Sequence, residues 1–169
     1  MVNIRNARLE DAGQISSVLA ASWKTAYRAI IDDHYLDLLK NDHWVAFLNT
    51  GLSSGSIFSM VMEKDQDMIG AAILSKTEKD HEACLISLYL LPDRIGQGFG
   101  NDFYIGIENE LIKRGFANCI LDVLENNKRA IDFYEAHGFI DTNTEVKTVL
   151  GERNYTCKVL KKCLKEDVI

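Results

Sequence analysis

At 169 residues and 47% hydrophobic content, the chain can build one good core, most simply a single domain over 1–169. Its formal charge of −6 disfavours nucleic acid as a partner and mildly attracts a cationic one. No apolar stretch approaches the roughly 20 residues that span a bilayer, and the start MVNIRNARLED lacks the apolar segment of a secretory signal. The expectation is a soluble, cytoplasmic protein with no membrane partner. Cys84, Cys119, Cys157 and Cys163 are scattered, with neither CxxC spacing nor nearby histidine pairs, so neither a metal site nor a disulfide framework is expected.

Val2 to Ala7 alternates like a strand, and Asp11 can start a helix on which Ile15, Val18, Leu19, Trp23 and Ala26 recur at helical spacing. A second helix is predicted from Asp32 or Asp33 through Leu36, Leu39, Trp44 and Phe47, with a break near Asn41. The period then becomes extended. Ser56 to Glu63 and Met68 to Lys76 read as a hairpin joined by the polar turn Lys64 to Asp67. Leu85 to Leu91 is the next strand, Gly98 to Lys113 a helix, Ala117 to Leu124 a strand and Asn127 to Ala136 a helix. Glu145 to Leu150 and Asn154 to Leu160 are two last strands. The order β-α-α-β-β-β-α-β-α-β-β predicts an α/β fold (α+β, mixed sheet) with helices on its faces.

Two segments carry chemistry. In LISLYLLPDRIGQGFG an apolar strand runs into Pro92, which cannot donate to a sheet ladder, and then into a turn containing Gly96, Gly98 and Gly100. Glycine permits close backbone approach and dihedrals that aim successive N–H groups at one point, so a pyrophosphate can bind where the turn enters the helix. Gln97 and Phe99 contribute backbone donors. The alternative is a glycine turn used only for tight packing. The spacing GxGxG is neither the dinucleotide fingerprint nor a phosphate loop ending in Lys and Ser/Thr, so nicotinamide or triphosphate chemistry fits less well. In NKRAIDFYEAHGF, the residues Asn127, Ala130 and Tyr134 share one helical stripe. Asn127 can cap the helix or hold an amide of a ligand, Ala130 admits a ligand close to the backbone, and Tyr134 is either a proton donor or a core aromatic. In a right-handed β-α-β arrangement both segments open on one cleft.

These two runs, LYLLPDRIGQGFG and VLENNKRAIDFYEAHGF, resemble the cofactor-binding core of the GNAT superfamily of acyl-CoA-dependent N-acetyltransferases, and SWKTAYRAIIDDHYLDLL resembles the first two helices of a bacterial branch. The likeness covers most of residues 1 to 139. It implies that acetyl-CoA is the cosubstrate, with no metal, and that the backbone of Ile95, Gly96, Gln97, Gly98, Phe99 and Gly100 cradles its pyrophosphate. Leu90 and its neighbours would pair with the pantetheine arm, and the strand of Tyr89 would splay from the strand of Val123 to admit the thioester. The family usually carries Gln or Arg where this chain has Ile95, with basic Arg94 just before it, so a side-chain phosphate contact is not carried over.

The reaction implied is attack of a primary amine, on a small molecule or a protein, upon the acetyl thioester. A backbone N–H such as that of Leu90 would stabilise the oxyanion, and Tyr134 matches the family position of the general acid. The family's usual base position falls on Cys84, which is a poor substitute. Glu82, two residues earlier on the same strand face, is the catalytic candidate, and Asp122, a carboxylate inside the apolar run CILDVL, is the other. Trp23 and Tyr27, four apart on the first helix, can form one wall of an acceptor pocket or simply a core stripe. Asp122 would line the same pocket. The rival readings are a non-catalytic acyl-CoA sensor and a nucleotide-binding α/β protein; a homodimer is implied by the resemblance alone.

Overall fold

A computed structural model describes residues 1–164. Seven strands and five α-helices follow one another as β1 (Val2–Asn6), α1 (Ala12–Ala26), α2 (Asp33–Leu38), α3 (Val45–Ser54), β2 (Ile57–Lys64), β3 (Asp67–Lys76) and β4 (Glu82–Leu90), then α4 (Phe99–Lys113), β5 (Asn118–Leu124), α5 (Lys128–Ala136), β6 (Ile140–Leu150) and β7 (Arg153–Cys163). The strands form one mixed sheet in the order β1-β2-β3-β4-β5-β7-β6. One face packs on α4 and α5 through Phe103, Tyr104, Ile107 and Leu111, and the other lies under α1 and α3 through Ile15, Val18, Leu19 and Leu48. No helix among the described residues is long and apolar enough to cross a membrane.

The expected mixed α/β architecture is present, with three adjustments. The second helix is two: α2 stops where Leu39 turns extended, and α3 begins after Trp44, so the order contains one more helix than the pattern predicts. Its break is set by tertiary contacts, since the Trp44 N–H donates to Ser16 Oγ at 3.0 Å and its ring packs 5.3 Å from that of Trp23. β4 starts at Glu82 rather than Leu85. The last two strands are longer than the predicted 145–150 and 154–160, because β6 carries a bulge between Asp141 and Glu145, where Asn143 has φ 57°, and the extra residues disrupt its alternation. The β2–β3 hairpin turns through Asp65 and Gln66, both at positive φ, as a two-residue hairpin turn requires.

The expected splay is present at the centre of the sheet. β4 and β5 run parallel, yet only Glu82↔Asn118, Ala83↔Cys119 and Cys84↔Ile120 are paired. Immediately beyond, β4 carries an extra residue, Ile86, between the pairs Leu74↔Leu85 and Ile73↔Ser87. Such a bulge bends the strand and increases its twist. From there β4 stays with β3 while β5 stays with β7 along its whole length, and a gap opens between them.

The closed end of that gap is pinned. Glu82 is buried at 4% exposure and accepts from Lys161 Nζ at 3.0 Å, across β5, and from Thr77 Oγ1 at 3.0 Å. Burial alone would raise its carboxyl, but the Lys161 and Thr77 hydrogen bonds outweigh that and hold it below its ordinary value of 4.5. A depressed folded-state pKa contributes stability above about pH 4.5 and loses it as pH falls through the folded value. Replacing Lys161→Met is therefore expected to cost about 1.5–3 kcal/mol near neutrality, with the difference from wild type shrinking in acid as Glu82 protonates in both. Urea unfolding at the two pH values reads this directly; a deficit independent of pH would remove the pin.

Candidate functional site

At the mouth of the gap, β4 ends against Pro92, which opens a single 3-10 turn through Arg94. Gly96 and Gly98 then adopt φ of 80° and 86°, a region costly for any side-chain-bearing residue, and Gly98 becomes the N-cap of α4 without a capping side chain. Gln97 Nε2 donates to Asp93 O at 2.8 Å and closes the turn on itself. The N–H groups from Gly96 to Asn101 have no acceptor among the described residues, and they lie at the positive end of a helix 15 residues long. Ile95 offers no charge, and Arg94 Nε lies 3.5 Å from Asp93 Oδ2. The cradle is thus made of backbone. One nearby cation escaped sequence reasoning: Lys64, from the end of β2, sits 5.1 Å from the Phe99 ring centroid.

On the other side of the gap, Asn127 caps α5, its Oδ1 accepting from Ala130 N at 3.3 Å. The Asn127 amide nitrogen has no hydrogen-bond partner among the described residues. Beside the start of α5, between β4 and β5, lies a cleft of about 240 Å³ whose walls include Tyr134, Trp23, Tyr27, Tyr89, Asn127 and Asp122. The Trp23 and Tyr27 rings meet edge to face at 4.8 Å, and the Tyr27 and Tyr89 hydroxyls hydrogen-bond at 2.6 Å. Burial, then the neighbouring Tyr27, drives the Tyr89 phenol well above 10. Tyr134 is half-buried against Phe133 and Phe139, and its hydroxyl has no hydrogen-bond partner among the described residues. Burial and the nearby Tyr27 also raise it above 10, so it stays protonated throughout the physiological range.

Asp122 is an exposed residue of β5 on the wall of the cleft, whereas the buried and half-buried Asp11, Glu63, Glu82, Glu108 and Asp141 each have a cation, Arg5 for the first two and then Lys161, Lys162 and Lys158. Asp122 has no ion pair or hydrogen bond among the described residues, and desolvation by the cleft raises its pKa above the ordinary 3.8. Burial, followed by the Asp122 charge, likewise pushes the thiol of Cys84 up to about 11, leaving it inert at neutral pH.

The structure brings most of the predicted site residues together. Tyr134, Asn127, Trp23, Tyr27 and Asp122 line the cleft, while Leu90 and the 95–100 turn lie outside its lining, at the end of β4 and in the segment that leads into α4. Glu82, the expected base, is the exception in its placement. It sits at the closed end of β4, outside the cleft, with both oxygens committed to Lys161 and Thr77. Sequence reasoning also missed the role of Tyr89, whose partner Tyr27 is 62 residues away.

The glycines of the turn separate by function. Gly98→Ala should lose about 1–2 kcal/mol to left-handed strain. A Cβ at Gly100 meets Phe133 at only 3.5 Å, so Gly100→Ala should be neutral or stabilise by up to about 1 kcal/mol. Denaturation midpoints of the two variants test this; equal losses would contradict the geometry.

The model of the acetyltransferase (GNAT) family matches residues 18–139. Among curated proteins, the chain is 30% identical over 146 residues to the N-acetyltransferase YuaI of Bacillus subtilis, covering 81% of this chain and 79% of YuaI. It is 26% identical over 159 residues to a spermidine N(1)-acetyltransferase of Thermoplasma acidophilum, covering 91% and 98%. Its fold is similar to that of PaiA N-acetyltransferase from Thermoplasma acidophilum, solved with coenzyme A (TM-score 0.77, 23% identity, 96% and 99% covered). It is also similar to YncA from Salmonella typhimurium, solved with acetyl-CoA (TM-score 0.73, 20% identity, 100% and 97% covered). Because the family model spans well over half of the chain, the chain belongs to the GNAT family of acetyltransferases.

Proposed function

We propose that this enzyme transfers the acetyl group of acetyl-CoA to a primary amine of a small cationic molecule of polyamine type, by direct attack. The observation that carries the reading is the meeting in one cleft of a phenol without an internal partner, Tyr134, and a carboxylate without a cation, Asp122. The spermidine N(1)-acetyltransferase of Thermoplasma acidophilum supports the class of acceptor. The free N–H groups from Gly96 to Asn101 fit a pyrophosphate, and the unpaired edge of β4 fits an extended amide-bearing arm.

Each residue has a task set by its environment. An alkylammonium is neutral at pH 7 only about once in a few thousand molecules, a barrier of about 4–5 kcal/mol. Asp122 attracts the ammonium into the cleft, and its raised pKa makes it a better proton acceptor than an ordinary carboxylate. Trp23 and Tyr27 give the acceptor an apolar, electron-rich wall. A gap-facing N–H of β4, such as that of Leu90, donates to the thioester oxygen as negative charge develops. Tyr134, held neutral, donates its hydrogen bond to the departing sulfur. The N–C bond forms, the C–S bond breaks, and the proton lost by the amine balances the one gained by the thiol.

Titration calorimetry with acetyl-CoA, followed by thiol release across a panel of amines, tests the proposal. Tyr134→Phe should keep binding and lower turnover by at least about 100-fold. Gly100→Ala should fold normally but bind coenzyme A poorly. Asp122→Asn should raise the KM for the amine and abolish the loss of activity that wild type shows as acid protonates this carboxyl, since a raised pKa brings that loss to higher pH than an ordinary aspartate would. Absence of acetyl-CoA binding by wild type overturns the reading, and full activity in Tyr134→Phe removes the acid.

A further inference from the structure

Ser22 is a buried serine of α1, 3% exposed, with no part in the chemistry above. A helical serine commonly returns its hydroxyl to its own helix, as Ser17 does by donating to Gly13 O at 3.1 Å. Ser22 instead donates to the carbonyl of Leu90 at 2.7 Å, at the last residue of β4 and 68 positions away in sequence.

The direction of that carbonyl gives the contact its meaning. In an antiparallel ladder the N–H and C=O of one residue point to the same side, and the sides alternate along the strand. The Leu91 N–H donates to Ile69 O at 2.8 Å, toward β3, so the N–H and C=O of Leu90 face the opposite way. That side is the gap, because β5 has left β4 beyond Cys84. No strand is there to satisfy the Leu90 carbonyl, and a buried acceptor left bare carries a full desolvation penalty. Ser22 supplies the missing donor from above the sheet. The 90–91 peptide is thereby held at both ends, by β3 through its N–H and by Ser22 through its oxygen. Just past the end of α1, Tyr27 holds the preceding residue through the Tyr89 hydroxyl at 2.6 Å.

We infer that Ser22 is a positioning residue: it fixes the Leu90 peptide so that the gap edge of β4 is preset for an extended ligand arm. The inference rests on the reading that coenzyme A lies along this edge. A serine with a merely structural duty would affect stability alone, whereas a positioning serine sets how well the folded protein takes the arm.

The test compares wild type with Ser22→Ala, Ser22→Cys, which keeps the shape with only a weak donor, and Ser22→Thr, which keeps the hydroxyl. Calorimetric affinity for coenzyme A, without any acceptor, is measured beside the denaturation midpoint and the KM for the amine. The expected result is affinity weakened about 5- to 10-fold in the Ala and Cys variants, kcat/KM for acetyl-CoA reduced by the same factor, amine KM unchanged, and affinity largely restored in Ser22→Thr. Coenzyme A affinity equal to wild type in folded Ser22→Ala or Ser22→Cys, with only the midpoint lowered, overturns the positioning role while leaving the acetyltransferase reading intact. Failure of wild type to bind coenzyme A overturns that reading instead and takes the role of Ser22 with it.

Discussion

A parallel ladder that stops after three pairs governs this structure. Strand pairing is cooperative, and two adjacent parallel strands ordinarily continue until one of them ends. Here a bulge at Ile86 turns β4 aside, β7 keeps β5 straight, and the Glu82–Lys161 pair secures the last point of contact. Everything of chemical interest lies on the open side of that point. The unpaired edge of β4, the uncapped start of α4 and the Asn127-capped start of α5 all border the space the strands have vacated, because both helices begin after strands that run toward it.

Opening a sheet exposes backbone polar groups, and the molecule answers each exposure differently. The carbonyl at Leu90 is covered by a serine from α1, and the start of α5 by Asn127. The start of α4 is left uncovered. Of these three places, only the start of α4 keeps its backbone donors free, and free donors at a helix start are what an anion binds. Among the ionisable groups, the buried or half-buried Asp11, Glu82, Glu108 and Asp141 each have a cation, while Asp122, exposed on the wall of the cleft, has none among the described residues.

How much of this was legible in the chain depended on sequence distance. The glycine turn and the Asn127–Tyr134 stripe were legible because both are local: turn chemistry sits in consecutive residues, and helical period brings Tyr134 over Asn127. The placement of Glu82 was not legible because the lysine that engages it is 79 residues away, and a strand pattern shows which face a carboxylate is on but not what it meets there. The split between α2 and α3 depends on Trp44 meeting Ser16 and Trp23, and the full length of β6 is hidden by its bulge. Ser22 and the Tyr27–Tyr89 pair were illegible for the same reason: a small buried serine and a tyrosine within an apolar run carry no period of their own.

The position of β7 has a consequence for how the enzyme comes into being. This strand follows every other described element in the chain, yet it lies inside the sheet, between β5 and β6. During synthesis from the N-terminus, β1 to β4 can pair as they emerge, whereas β5 must wait for Arg153–Cys163 to gain its second neighbour, and Glu82 must wait for Lys161. One wall of the cleft is therefore completed only when almost the whole described chain has left the ribosome, and a nascent chain halted before β7 would display a sheet that ends at an open β5 edge.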